Sequence, residues 1–166
     1  MKIKAVIYSL FTILIWGCNS SNKNEAAIDT SKTLSGWIQG KFIFMDEGAG
    51  IYYEEWVKLD SSNYKGSGFY LTNDLIDTLF SMKMKILIQK NKTTMIYDVK
   101  ESGEKKELEF VLTSKENSTY VFENPFHDFP SIMQYKFLPD STIEVTERGF
   151  VDNKEKVRDY KIKRIN

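Results

Sequence analysis

Residues 80 to 88, Phe80-Ser81-Met82-Lys83-Met84-Lys85-Ile86-Leu87-Ile88, place Phe80, Met82, Met84, Ile86 and Ile88 two positions apart, with Lys83 and Lys85 between them. In an extended chain successive side chains point to opposite faces, so this spacing makes a strand with one apolar face and one wet face. The same rhythm returns at Leu108, Phe110 and Leu112 against Glu107 and Glu109, and at Met133, Tyr135 and Phe137 against Gln134 and Lys136. Half-buried antiparallel strands follow from it.

Turn-forming residues separate these segments at Asp60-Ser61-Ser62-Asn63, Thr72-Asn73-Asp74, Lys90-Asn91-Lys92, Ser102-Gly103, Pro139-Asp140-Ser141 and Asp152-Asn153-Lys154. Their spacing implies about ten strands, the rhythm of an all-β barrel or sandwich. No helical period runs for three turns; one helical turn is expected at Leu34-Ser35-Gly36-Trp37-Ile38, before the first strand. With no helices to cover its edges, such a sheet is best protected by closing on itself. The expected fold is therefore a single antiparallel up-and-down β-barrel, with an open sandwich as the alternative.

The start of the chain has a different character. Met1-Lys2-Ile3-Lys4 is basic, Ala5 to Trp16 is nearly all apolar, and the run ends in Ile15-Trp16-Gly17-Cys18. An apolar run of about a dozen residues is short of the roughly 20 needed to span a bilayer as a helix, so a signal peptide over residues 1–17 is expected. Ile-Trp-Gly-Cys resembles a bacterial lipobox, which implies that Cys18 becomes the diacylated first residue of a lipoprotein in the cell envelope. Two acyl chains suffice for stable anchoring, at about 0.8 kcal/mol per buried methylene. Having only this one cysteine, the chain forms no internal disulfide. Residues 18–33 are polar and expected to be a tether of about 20 Å reach, leaving residues 34–166 as the barrel domain. The 23 basic and 23 acidic side chains balance, with no basic block to neutralise phosphates, so a nucleic-acid partner is not expected.

Three groups of residues are candidates for a site. Trp37 and the Gly40-x-Phe42 entry could plug one end of a barrel. Glu54 and Trp56 share a strand face, with Gly66 and Gly68 on a later strand. Which face of that strand is inside stays open, because Tyr52 and Trp56 favour one and Ile51, Tyr53 and Val57 the other. If Trp56 points inward so does Glu54, and a carboxylate in the lumen must be paired, solvated or protonated. The third group is Phe122-Glu123-Asn124-Pro125-Phe126-His127-Asp128-Phe129-Pro130, which holds the only histidine between two of the three prolines. Each proline fixes its own φ and extends the residue before it. The peptide is either a stiff corner, the wall of a pocket, or a site in which Glu123 or Asp128 orients His127. Pattern alone leaves the cis or trans state of Asn124-Pro125 and Phe129-Pro130 open.

These residues together resemble an uncharacterised family of bacterial lipocalin-like domains. The resemblance rests on Trp37-Ile38-x-Gly40-x-Phe42, Glu54-x-Trp56, Gly66-x-Gly68, Phe110-x-Leu112-Thr113 and Phe122-Glu123-Asn124-Pro125-x-His127-Asp128-Phe129-Pro130-x-Ile132-x-x-Tyr135, and it spans Leu34 to Arg164. It implies a calycin-type barrel and no established reaction. The first functional expectation is a small apolar or amphipathic ligand held in the lumen by Trp37, Glu54, Trp56, Met82, Met84, Asn124, His127 and Tyr135, in a monomer attached to the membrane through acylated Cys18. Flexible thioethers such as Met82 and Met84 suit irregular ligands. The alternatives are a haem or metal protein with His127 as the one protein ligand, and a hydrolase or isomerase with His127 as general base.

Overall fold

The computed structural model describes residues 38–46, 50–72, 74, 77–101 and 104–165. Cys18, the expected signal segment and tether, and the expected helical turn as far as Trp37 lie outside these residues. The described chain folds as ten antiparallel strands: β1 (Gly40–Asp46), β2 (Gly50–Lys58), β3 (Asn63–Leu71), β4 (Thr78–Gln89), β5 (Lys92–Glu101), β6 (Glu104–Glu116), β7 (Thr119–Glu123), β8 (Ile132–Phe137), β9 (Thr142–Val151) and β10 (Lys154–Ile165). Each strand pairs with its neighbours in sequence, and β1 closes on β10 with Lys41 opposite Ile165 and Ile43 opposite Lys163. The result is a closed up-and-down barrel in which every strand has a hydrogen-bonded neighbour on each side.

The expected turns fall between strands. Asp152 and Asn153 both adopt positive φ, 51° and 59°, the backbone that a two-residue hairpin linking right-twisted strands requires. In the β6–β7 hairpin one residue, Asn117 at φ 52°, takes a positive φ. Because strands alternate in direction, the connections divide between two ends. One end carries the finish of β1, β3, β5, β7 and β9, with the described connections 124–131 and 152–153; the other carries 59–62, 90–91, 117–118 and 138–141, with the start of β1 and the finish of β10.

The two-residue rhythm sorts side chains as expected: Met84, Ile86, Phe110, Met133 and Tyr135 are buried in the lumen, with Lys83, Lys85, Glu107 and Glu109 outside. On β2 the open question of face is decided by Gly66 and Gly68 of β3, whose bare backbone makes room for rings on the inner side. The large rings of Tyr52 and Trp56 are buried, whereas Val57 is half exposed, so Glu54 points inward with them. Cross-strand pairs such as Lys136–Glu144 (3.1 Å) and Lys85–Glu107 (3.5 Å) decorate the outer face, each contributing roughly 0–1 kcal/mol at an exposed position.

The two ends differ in filling. Toward the end where β1 starts, Ile38, Phe42, Trp56, Tyr64, Ile86, Met95 and Ile162 interdigitate in one cluster, leaving a void of about 10 Å³, little more than one water needs. Ile38, only 1% exposed, stoppers this end. At the opposite end the inward residues Phe44, Tyr70, Phe80 and Met82 are only partly covered, and Leu79, Phe126 and Phe150 are exposed around them.

Candidate functional site

The site begins where β2 faces β3. Glu54 lies opposite Gly68 and Trp56 opposite Gly66. A Cβ on Gly66 would sit 2.8 Å from the Trp56 ring, and one on Gly68 would sit 2.8 Å from the Tyr52 hydroxyl and 2.9 Å from Met82 Cε. The bare backbone of Gly66-x-Gly68 is thus the surface on which the Trp56 indole and the Tyr52 phenol lie. That close approach aims both polar tips at the carboxylate between them: Tyr52 Oη donates to Glu54 Oε2 at 2.7 Å, and Trp56 Nε1 donates to Oε1. Burial pushes the Glu54 carboxyl above the usual carboxylate range, and these two hydrogen bonds pull it part of the way back. Glu54 lies deep in the barrel yet keeps partial access, because it faces open lumen.

Above it, toward the less filled end, β9 and β10 supply a second polar group. Glu147, only 6% exposed, accepts from Arg158 Nε at 2.8 Å and from Arg158 Nη2 on one oxygen, and from Tyr160 Oη at 3.0 Å on the other. Burial pulls the Arg158 guanidinium down, but the Glu147 charge and its hydrogen bonds outweigh this and leave it above the ordinary value. Across the lumen the Tyr97 and Tyr135 hydroxyls bond each other at 2.8 Å. Burial first, then neighbouring carboxylates and phenols, pushes the pKa of Tyr52, Tyr97, Tyr135 and Tyr160 up, so all four rings stay neutral.

Between these groups lie two adjoining cavities. One of about 370 Å³ is walled by Phe44, Tyr52, Tyr70, Phe80, Met82, Glu147, Arg158, Asp159 and Tyr160. The second, of about 170 Å³, runs deeper past Met82, Tyr97, Phe110, Met133 and Tyr135 to Glu54, and shares Tyr52, Phe80, Met82, Glu147, Arg158 and Tyr160 with the first. An apolar concavity with a few convergent polar groups is the usual form of a small-molecule site.

Among the residues singled out from sequence, the structure brings Glu54, Met82 and Tyr135 to the cavity wall, with Trp56 holding Glu54 from below. Met84 is 1% exposed and belongs to the filled half. Trp37 lies outside the described residues. Glu147, Arg158, Tyr97 and Tyr160 were not singled out. Their signal was a charged or phenolic residue in phase with inward Ile143 and Val145 for Glu147, with inward Ile162 for Arg158 and Tyr160, and with inward Met95 for Tyr97.

The 122–130 peptide forms a corner at the open end, bonded to itself and to β9. Asn124 Oδ1 accepts from Phe126 N at 3.0 Å, its carbonyl accepts from His127 N at 3.2 Å, and its own N donates to Ser131 O at 2.8 Å. Phe129-Pro130 is cis. The Asp128 carbonyl accepts from Phe150 N at 2.7 Å, a seat kept free by Gly149, whose Cβ would fall 2.1 Å from that oxygen. His127 Nδ1 lies 2.8 Å from Pro130 O, and its ring stands edge-on to Phe110. Glu123 accepts from Thr113 Oγ1 at 2.9 Å, and Asp128 is exposed. Glu123, His127 and Asp128 are thus each engaged separately. The peptide meets the cavity through Pro130; the walls of the two cavities do not include His127. The His127 ring reaches the deeper cavity only through the contact with Phe110, and among the described residues no three His, Cys, Asp or Glu side chains group as metal ligands.

Compared with known proteins, the chain matches no family model, no curated protein and no solved structure.

Proposed function

We propose that the protein is a lipid-anchored binding module of the bacterial envelope, whose lipocalin-like barrel takes a small amphipathic molecule into its open half. The observation that carries this reading is the division of the lumen: packed side chains fill one half, while the other keeps a cavity of about 370 Å³ continuing toward Glu54. A barrel built only for stability gains from filling its centre, since every void forfeits dispersion contacts. Leu79, Phe126 and Phe150, exposed by 59%, 97% and 57%, give the open end an apolar rim, which suits a ligand with an apolar body. The lipobox-like Ile15-Trp16-Gly17-Cys18 supports the anchor, and the Glu54-x-Trp56, Gly66-x-Gly68 and Asn124-Pro125-x-His127-Asp128-Phe129-Pro130 motifs support the lipocalin-like kinship.

The test uses N-phenyl-1-naphthylamine, an uncharged apolar probe that brightens when buried. Its fluorescence saturates at one probe per chain with the wild type, and the saturable signal disappears in Met82→Trp, where the indole occupies the cavity. No saturable signal, or equal binding by Met82→Trp, removes the reading.

A further inference from the structure

The charges of the cavity are unequally partnered. Glu147 is matched by Arg158, which donates through Nε and Nη2 to one oxygen while Tyr160 serves the other. Glu54, at the floor, receives only the neutral donors Tyr52 and Trp56, and among the described residues no ion pair reaches it. Each oxygen carries one hydrogen bond, whereas a carboxylate offers about four acceptor positions in all. Glu54 lines the deeper cavity together with Tyr52, Tyr97 and Tyr135.

A carboxylate among aromatic rings, reached past Phe44, Phe80 and Met82, favours one kind of guest. A cation gains from the carboxylate and from the negative faces of the rings, with the ring attraction strengthened by desolvation. An anion would face Glu54 directly and find Arg158 already committed to Glu147. An uncharged alcohol would gain a hydrogen bond but no charge.

We infer that the ligand is an amphipathic amine, its ammonium group donating to Glu54 between Tyr52, Tyr97 and Tyr135 and its apolar body lying along Phe44, Phe80 and Met82. This deepens the proposed binding function and rests on it. The reaction class is none: the amine is held, not transformed, and exchange takes place through the rim at Leu79 and Phe126.

Three probes of one chain length separate the possibilities: octylamine, 1-octanol and octanoate, each titrated into the full folded chain by displacement of N-phenyl-1-naphthylamine at neutral pH. The expected order is octylamine first, by about tenfold over octanol, as one charge-assisted contact gives, with octanoate weakest. In Glu54→Gln the octylamine preference collapses, while octanol changes by less than about twofold. Glu144→Gln, on the outer face of β9 and away from both cavities, retains the preference. The wild-type ranking needs no variant to fold. Octanol equal to octylamine, octanoate tightest, or an amine preference that survives in a folded Glu54→Gln overturns the inference and leaves the binding module standing. If none of the three displaces a probe that binds, the amine inference falls; if the probe itself does not bind, the binding module falls with it.

Discussion

Gly66→Ala tests the central piece of packing, the Trp56 indole laid on the β3 backbone. The new Cβ would stand 2.8 Å from Trp56 Cδ2 and Cε3 and 2.9 Å from Cε2, whereas unstrained carbon contacts are about 3.5–4.0 Å. The indole must retreat by roughly 0.7–1 Å. It cannot do so freely, because Trp56 is 3% exposed and packed within the filled half, and its Nε1 bond to Glu54 goes with it. Overpacking costs about 1–3 kcal/mol, and a lost hydrogen bond to a charged group about 1.5–3 kcal/mol. Replacing glycine stabilises by about 0.4–1 kcal/mol through the unfolded chain. The net expectation is a loss of about 3 kcal/mol, and with an m-value of about 2 kcal/mol per molar the urea midpoint falls by about 1.5 M. Equilibrium urea unfolding followed by far-ultraviolet circular dichroism reads this directly. In a Trp56→Leu background, where the ring is gone, the same change costs under about 1 kcal/mol. A wild-type midpoint in Gly66→Ala, or an equal penalty in both backgrounds, refutes the packing argument.

Glu54 gives the stability of the empty barrel a pH dependence of definite sign. Its folded pKa is raised above the unfolded value, so the stability it adds, relative to Glu54→Gln, is complete below about pH 4.3 and is lost as pH rises through the raised value; the neighbouring Tyr52, Tyr97 and Tyr135 stay neutral throughout. Denaturation of both proteins across the acid range checks this, and a difference that grows with pH contradicts it. Gly149→Ala drives a Cβ to 2.1 Å from the Asp128 carbonyl and 3.0 Å from Ser131 N, all backbone, so hydrogen exchange at Phe150 and Ser131 accelerates by about a hundredfold or more as the corner lifts, about 3 kcal/mol of local protection; unchanged exchange there would show that the corner is not seated on β9. The proposed anchor predicts that intact-mass analysis of the membrane-extracted protein finds a chain beginning at Cys18 with acyl groups attached, and that Cys18→Ala leaves the membrane fraction as an unacylated chain. Acylated mass in that variant would place the lipid elsewhere.

The strands were legible because each buries one face, and alternation of large apolar with charged residues survives in sequence as a period of two: Met82, Met84 and Ile86 against Lys83 and Lys85 needed no structure to interpret. The face of β2 was not legible, since Tyr52, Trp56, Ile51 and Tyr53 are all large; it is decided by the two glycines of β3, and cross-strand register has no local signature. For the same reason the partnership of Glu147 with Arg158 and Tyr160 was invisible: three residues on two strands become neighbours only through the β9–β10 register, with Arg158 opposite Glu147. The prolines around His127 signalled a stiff segment but not its use, because a corner and a pocket need the same rigidity. Which half of the lumen is full depends on side-chain volumes summed around each layer, and that sum requires knowing which residues share a layer.

The most direct test of the divided lumen is methyl NMR of protein labelled at methionine Cε, recorded with and without N-phenyl-1-naphthylamine. Met82 lines both cavities, whereas Met84 is sealed in the filled half. The account predicts that the Met82 methyl shifts and shows contacts to the probe while the Met84 methyl stays in place; contacts at Met84 with none at Met82, or no shift at any lumen methionine, would contradict it.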